Sequence, residues 1–202
     1  VKSKIAIVGI TLFFMISIIM HVMRGVHDRK EEQVFLNHTF AYLSTIYSSL
    51  TALEEYYNTD TNDNLNSEVS YLLDYINSLD QILTYGKLFV DQSIPSSGVE
   101  FGFGTIKRTI EGKLLTSNKK YQVPFTEDFI LSKQEYQFLN ELKTDVKEVL
   151  DGMTGENEKI VKNLSLNKFN HLLEDFFDKW DIYPERTPSG VSPYDLLWGI
   201  ES

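Results

Sequence analysis

Residues 5–23 read IAIVGITLFFMISIIMHVM, and His21 is the only ionisable side chain among them. At about 1.5 Å of rise per residue this run spans about 28 Å as a helix, close to the hydrocarbon thickness of a bilayer. A helix packed on a soluble core normally keeps one polar face, and this run has none. A cleavable leader would have an apolar stretch of about 7–15 residues and a small-x-small exit. This run is longer, and it leaves through His21-Val-Met-Arg-Gly-Val-His27. The sequence therefore predicts an uncleaved anchor over residues 1–30, with the span at 5–23 and membrane lipid as its partner.

Orientation is nearly balanced by the flanks. Lys2 and Lys4 stand before the span, and Arg24, Arg29 and Lys30 after it. The positive-inside rule counts these residues and gives acidic neighbours little weight. Beyond Lys30 the chain carries 14 basic and 28 acidic residues, a net of −14. An acidic domain without cysteine suits the outside of a bacterial cell, where the anionic lipid surface keeps it from lying flat. The expectation is a cytoplasmic N-terminus and an extracytoplasmic domain. Alanine is scarce, while Ile, Asn, Lys, Tyr and Phe abound, which points to an AT-rich bacterial genome.

Two amphipathic stripes follow the anchor. Leu36, Phe40, Leu43, Tyr47, Leu50, Leu53 and Tyr57 recur at steps of three and four, and so do Val69, Leu72, Leu73, Ile76, Leu79 and Leu83. The polar stretch Asn58–Asn64 between them reads as a loop, so the pair reads as two antiparallel helices. Gly25 is the only weak point between the anchor and the first stripe. Ser132-Lys-Gln-Glu135 is a capping box ahead of Phe138, Leu139, Leu142, Val146, Val149 and Leu150. Gly152 falls where a left-handed glycine would close that helix. Ser165 caps a further helix bearing Phe169, Leu172, Leu173, Phe176, Phe177 and Trp180, and Pro184 and Pro188 prevent its continuation.

Residues 93–125 read as an irregular or β insert. Val99, Phe101 and Phe103 alternate like a short strand, Thr105 is placed to cap a short helix reaching Leu115, and Tyr121, Val123 and Phe125 alternate again. The fold class expected is mainly α: an N-terminal transmembrane helix, then a bundle of about four helices over residues 31–183 with this insert. A proline-containing tail follows at 184–202.

The whole chain has 202 residues, 29 acidic against 19 basic, and no cysteine. This excludes disulfides, thiolate metal sites and thiol nucleophiles. The acidity speaks against nucleic acid as a partner. Gly98, Gly102 and Gly104 near Lys107 and Thr109 have neither phosphate-loop nor dinucleotide spacing. Asp60, Asn62 and Asn64 open like a calcium loop, but Leu65 and Tyr71 stand where that loop needs Gly and Glu. Glu174, Asp175, Asp178 and Asp181 are expected on the solvated face of their helix. His21, His27, His38 and His171 show no metal-binding spacing, and no nucleophile elbow occurs.

These readings lead to no catalytic residue, metal or cofactor, and to a non-enzymatic protein. The expected function is a single-pass membrane protein whose acidic domain binds another protein of a cell-envelope complex. The tail offers Tyr194, Leu196, Leu197 and Trp198 as partner-binding residues on a tether. The competing reading of the same residues is a strap closing the open end of the bundle. The alternatives for the whole protein are a sensor-like ligand-binding ectodomain that signals through a partner, and an envelope hydrolase with an unrecognised site.

Overall fold

The computed structural model describes residues 2–59, 64–96, 102–115, 120–121, 124–125, 130–154, 164–182 and 192–198. Side chains are described from Asp28 onward, apart from those of residues 58–59, 114–115, 120–121, 196 and 198. The protein is mainly helical. Helix α1 (Lys2–Thr59) is followed by α2 (Leu65–Phe89), the short α3 (Phe103–Ile110), α4 (Lys133–Met153) and α5 (Leu166–Lys179). Strands β1 (Leu114–Leu115) and β2 (Lys120–Tyr121) form a two-residue antiparallel ladder, and a 3-10 segment covers Pro193–Trp198.

Helix α1 runs 58 residues without a break. That is about 87 Å at about 1.5 Å per residue. No proline occurs before Pro95, and Gly25 alone is too weak a breaker to end a helix. The apolar run 5–23 belongs to this helix by its backbone, and its side chains, with His21 and His27, lie outside the described residues. Among the described residues, no helix is long and apolar enough to cross a membrane.

Helices α1 and α2 form an antiparallel hairpin. The buried seam of α1 is Leu36, Thr39, Leu43, Ile46, Leu50 and Leu53, and that of α2 is Leu65, Val69, Leu72, Ile76, Leu79, Leu83 and Gly86. Both series alternate steps of three and four, the spacing of a coiled-coil seam. The seam of α1 differs from the stripe expected from sequence. Ile46 takes a central place, Phe40 and Tyr47 are half-buried beside the seam, and Tyr57 is exposed. The bulky aromatics fit the flanks of the seam, where rings have room, and the aliphatic and small side chains fill its centre.

Gly86 is a seam position by necessity. A Cβ there would lie 2.3 Å from Cε2 of Phe35, so the missing side chain makes the hole that this ring fills. The hairpin's far exit is locked by short-range bonds. The Val90 and Asp91 N–H groups donate to the Gly86 carbonyl, and the Ser93 N–H donates to Asp91 Oδ1 at 2.7 Å. These bonds from Ser93 hold the Asp91 carboxyl below its ordinary pKa.

The insert corrects two expectations. Phe103 opens α3 instead of ending a strand, and Thr105 lies within that helix; Gly102, at φ 83°, stands at the N-cap. The helix stops at Ile110, well before Leu115, because Gly112 adopts φ 66° and closes it. The Gly112 N–H donates to Thr109 and the Lys113 N–H to Arg108, the paired bonds of a Schellman motif. The left-handed cap expected at Gly152 is not formed: α4 continues to Met153 and ends on Thr154 in an extended conformation. Gly152 is helical, and a Cβ there would meet Leu172 Cδ2 at 2.6 Å. Its role is close approach of α4 to α5. Val99, Phe101 and Val123 lie outside the described residues.

Helices α4 and α5 enclose an aromatic cluster. The capping box of α4 is present: Ser132 Oγ accepts from the Glu135 N–H, and Glu135 accepts from the Ser132 N–H at 2.7 Å. Ser165 caps α5 as expected. Phe138 of α4 meets Trp180 edge-on at 5.1 Å and Phe125 at 5.6 Å, while Phe176 stacks on Phe103 at 5.0 Å. Phe35 against Phe169, at 5.7 Å, joins this cluster to the hairpin. Tyr57 stacks on Tyr136 at 3.9 Å, and Lys143 pairs with Glu54, so α4 is also fixed to α1.

Candidate functional site

The tail residues go to different places. Tyr194 is fully buried, 5.5 Å from Phe138 and 5.7 Å from Trp180. Burial pushes its phenol well above the ordinary tyrosine pKa. Leu197 is half-buried against the core, and the side chains of Leu196 and Trp198 lie outside the described residues. The segment is held by polar bonds as well: Ser192 Oγ donates to the Asp181 carbonyl, and Asp195 Oδ2 accepts from the Ser192 N–H at 3.1 Å. Over the described residues the tail thus has the geometry of a strap, with Tyr194 committed to the core.

The acidic helix divides likewise. Glu174, Asp175 and Asp178 are exposed as expected, and Glu174 lies 3.1 Å from His171. Partial burial, followed by repulsion from Asp175, Glu174 and Asp181, raises the Asp178 pKa. Asp181 is buried, contrary to expectation. It follows the C-cap Trp180, so the helical periphery no longer sets its direction, and the strap covers it.

A second buried carboxylate escaped the sequence. Asp145 of α4 accepts from Trp180 Nε1 at 2.8 Å and from Lys179 Nζ at 2.6 Å. Burial pushes its carboxyl up against the pull of these two donors. Lys179 loses hydration too, yet Asp145 and Glu141 together hold its ammonium above the ordinary lysine pKa. Both pKa values move up, which disfavours the charge on almost wholly enclosed Asp145 and favours it on half-open Lys179. The direction for Lys179 follows from its two short ion pairs. Both donors of this cluster are used inside the protein, so its chemistry is that of a latch between α4 and α5.

The other candidates are also committed. Lys107 donates to Asn77 at 2.9 Å, and Thr109 donates to the Thr105 carbonyl at 2.9 Å, while Gly98 lies outside the described residues. Asn64 is the N-cap of α2 without a side-chain capping bond, while Asp60 and Asn62 lie outside the described residues. Among the described residues no group of three or more acidic or histidine side chains could hold a metal ion.

What the structure adds is a groove between α1 and the second half of α2, with a volume of about 990 Å³. Lys30, Val34, Phe35, His38 and Tyr42 line it from α1, and Ser78, Ile82, Tyr85 and Phe89 from α2. Its floor is Phe35, seated over Gly86. Its rim is open: Val34 is 54% exposed, Tyr85 59% and Phe89 65%, with Leu88 next to them at 68%. A signal for it exists in the sequence. Tyr85, Leu88 and Phe89 fall off the three-and-four seam of α2, so as large apolar residues they have no place in the hairpin interface. The groove's polar groups are Lys30, Glu31, His38, Ser78 and Gln81, with Tyr42 and Tyr85 beside them. No family model matches the chain, and no curated protein and no solved structure matches it.

Proposed function

We propose that this is a single-pass membrane protein whose acidic helical domain stands outside the cytoplasm and serves as a non-enzymatic, protein-binding subunit of a cell-envelope complex. The observation that supports this reading is the continuity of α1 from Lys2 to Thr59. The apolar run 5–23 and the hairpin seam beginning at Leu36 are parts of one helix, so the domain is held at a set height and rotation above its anchor. An enzyme that only needs retention at a membrane is served by a flexible linker. A subunit that must present one face to a neighbour gains from a stiff one.

The groove of about 990 Å³ favours a second reading, a sensor-like domain. Its size falls within the range of small-molecule sites, and it lies between two helices, one of which would carry a displacement to the membrane.

Topology and binding are tested together on the full chain. The chain has no native cysteine, so Asn62→Cys and Ser202→Cys give single labelling positions. An impermeant maleimide on intact cells should label both, and extraction in mild detergent should retain a stoichiometric protein partner. Labelling only after lysis would place the domain in the cytoplasm and overturn the envelope reading. A small molecule retained without any protein would favour the sensor.

A further inference from the structure

We propose that the ridge Tyr85, Leu88 and Phe89, with Val34 beside it, rests in the headgroup zone of the bilayer that anchors residues 5–23, giving the domain a second contact with lipid. The inference rests on the anchor reading and adds a surface to it.

Of seven large apolar side chains exposed among the described residues, four are these, gathered at one end of the hairpin. That end is the one nearest the apolar run. The pairs Phe35–Gly86 and Tyr42–Tyr75 fix the antiparallel register, so Leu88 and Phe89 stand level with α1 near Glu31. Glu31 follows Met23 by about 12 Å of helix at about 1.5 Å per residue. The headgroup layer extends about 5–8 Å beyond the hydrocarbon on each side. An ordinary helix tilt of about 20° lowers a neighbour packed about 9 Å away by a further ~3 Å. The remaining few ångströms are within the reach of a Phe or Leu side chain.

The chemistry of the ridge also suits lipid. Aromatic rings with cationic neighbours are the side chains that settle at membrane interfaces. Here Tyr85 and Phe89 are accompanied by exposed Arg29, Lys30 and Lys87. Beyond Lys30 the chain carries a net charge of −14, which opposes approach to anionic lipid. At the foot the balance is close to even, with Arg29, Lys30 and Lys87 against Asp28, Glu31, Glu32 and Asp91. A membrane can therefore meet this end without the repulsion that the rest of the domain would face.

The test uses the full chain in vesicles of phosphatidylcholine and phosphatidylglycerol. Leu88→Cys and, separately, Phe89→Cys carry an environment-sensitive NBD label, and Tyr71→Cys is the control. Tyr71 is exposed on the same helix, toward its opposite end. The expected result is blue-shifted emission at 88 and 89, lost on adding lipids with a quencher near the headgroup, and aqueous emission at 71. If 88 and 89 are as aqueous as 71 while the chain resists carbonate extraction, the ridge inference is overturned and the anchor stands. If the blue shift is insensitive to lipid quenchers and follows protein-to-lipid ratio, a second copy covers the ridge and the inference again fails. Release of the chain by carbonate would overturn the anchor and the ridge contact with it.

Discussion

The hairpin of α1 and α2 and the cluster between α4 and α5 bury their cores in different ways. The hairpin seam is almost wholly aliphatic and repeated at one spacing. The second core is built from Phe103, Phe125, Phe138, Phe176, Trp180 and Tyr194, rings whose edges and faces must meet at particular angles. It is also pinned by a buried carboxylate with two donors. Regular spacing specifies most of the first region, whereas individual shapes and hydrogen bonds specify the second.

The sharpest test compares equally buried positions. Trp180→Ala removes a ring that touches Phe138, Phe176 and Tyr194 and leaves Asp145 without its indole donor. It should cost about 3–5 kcal/mol in denaturant unfolding. Leu43→Met in the hairpin conserves volume and should cost less than about 1.5 kcal/mol. Equal losses would erase the contrast.

The hairpin has one position where shape does matter. Gly86→Ala should destabilise by about 1–3 kcal/mol through overpacking against Phe35, although alanine is the better helix former by about 1 kcal/mol. Gly152→Ala meets the flexible end of half-buried Leu172 and should cost less. Thermal melts of the two variants settle the order, and a net gain from Gly86→Ala would mean that the Phe35 ring is free to move aside.

The smallest effect is electrostatic and belongs to the outer face of the second region. The folded-state pKa of Asp178 is raised, so its ionised form is penalised in the fold. That penalty is present above the raised pKa and is relieved as pH falls through it toward the ordinary carboxylate value. Asp178→Asn should therefore stabilise slightly at neutral pH, within about 0.5 kcal/mol for an exposed site. The gain should vanish on acidification. A gain that persists at acid pH would point to helix propensity instead of charge.

The contrast also explains what was legible in the sequence. Helix existence followed from periodicity, and the caps Ser132–Glu135 and Ser165 were readable because capping is local chemistry. The centre of the α1 seam was misread at Phe40 and Tyr47, since hydrophobicity does not distinguish a seam from its flank; size does. Gly152 was mistaken for a stop because a close approach and a left-handed cap both require glycine, and only the neighbouring helix tells them apart. Asp181 was read as a solvated acid and Asp145 was passed over, because their burial depends on Lys179, Trp180 and the strap, partners that no local pattern brings near. The groove was missed for a similar reason: its wall residues come from two helices, and only the off-seam position of Tyr85, Leu88 and Phe89 hinted at it.

The strap has a consequence for the order in which the protein is made. The hairpin can zip once Phe89 has reached the side of the membrane on which the domain folds, since its seam contacts link neighbouring helices. The aromatic core cannot close then, because Phe138, Trp180 and Tyr194 are still to come. At roughly 5–20 residues per second, synthesis from Phe138 to Tyr194 takes about 3–11 s. Through that interval the open face of α4 is bare, on a chain whose first half is already structured. The interval is when a chaperone has a surface to hold, and when a neighbouring nascent chain has one to stick to.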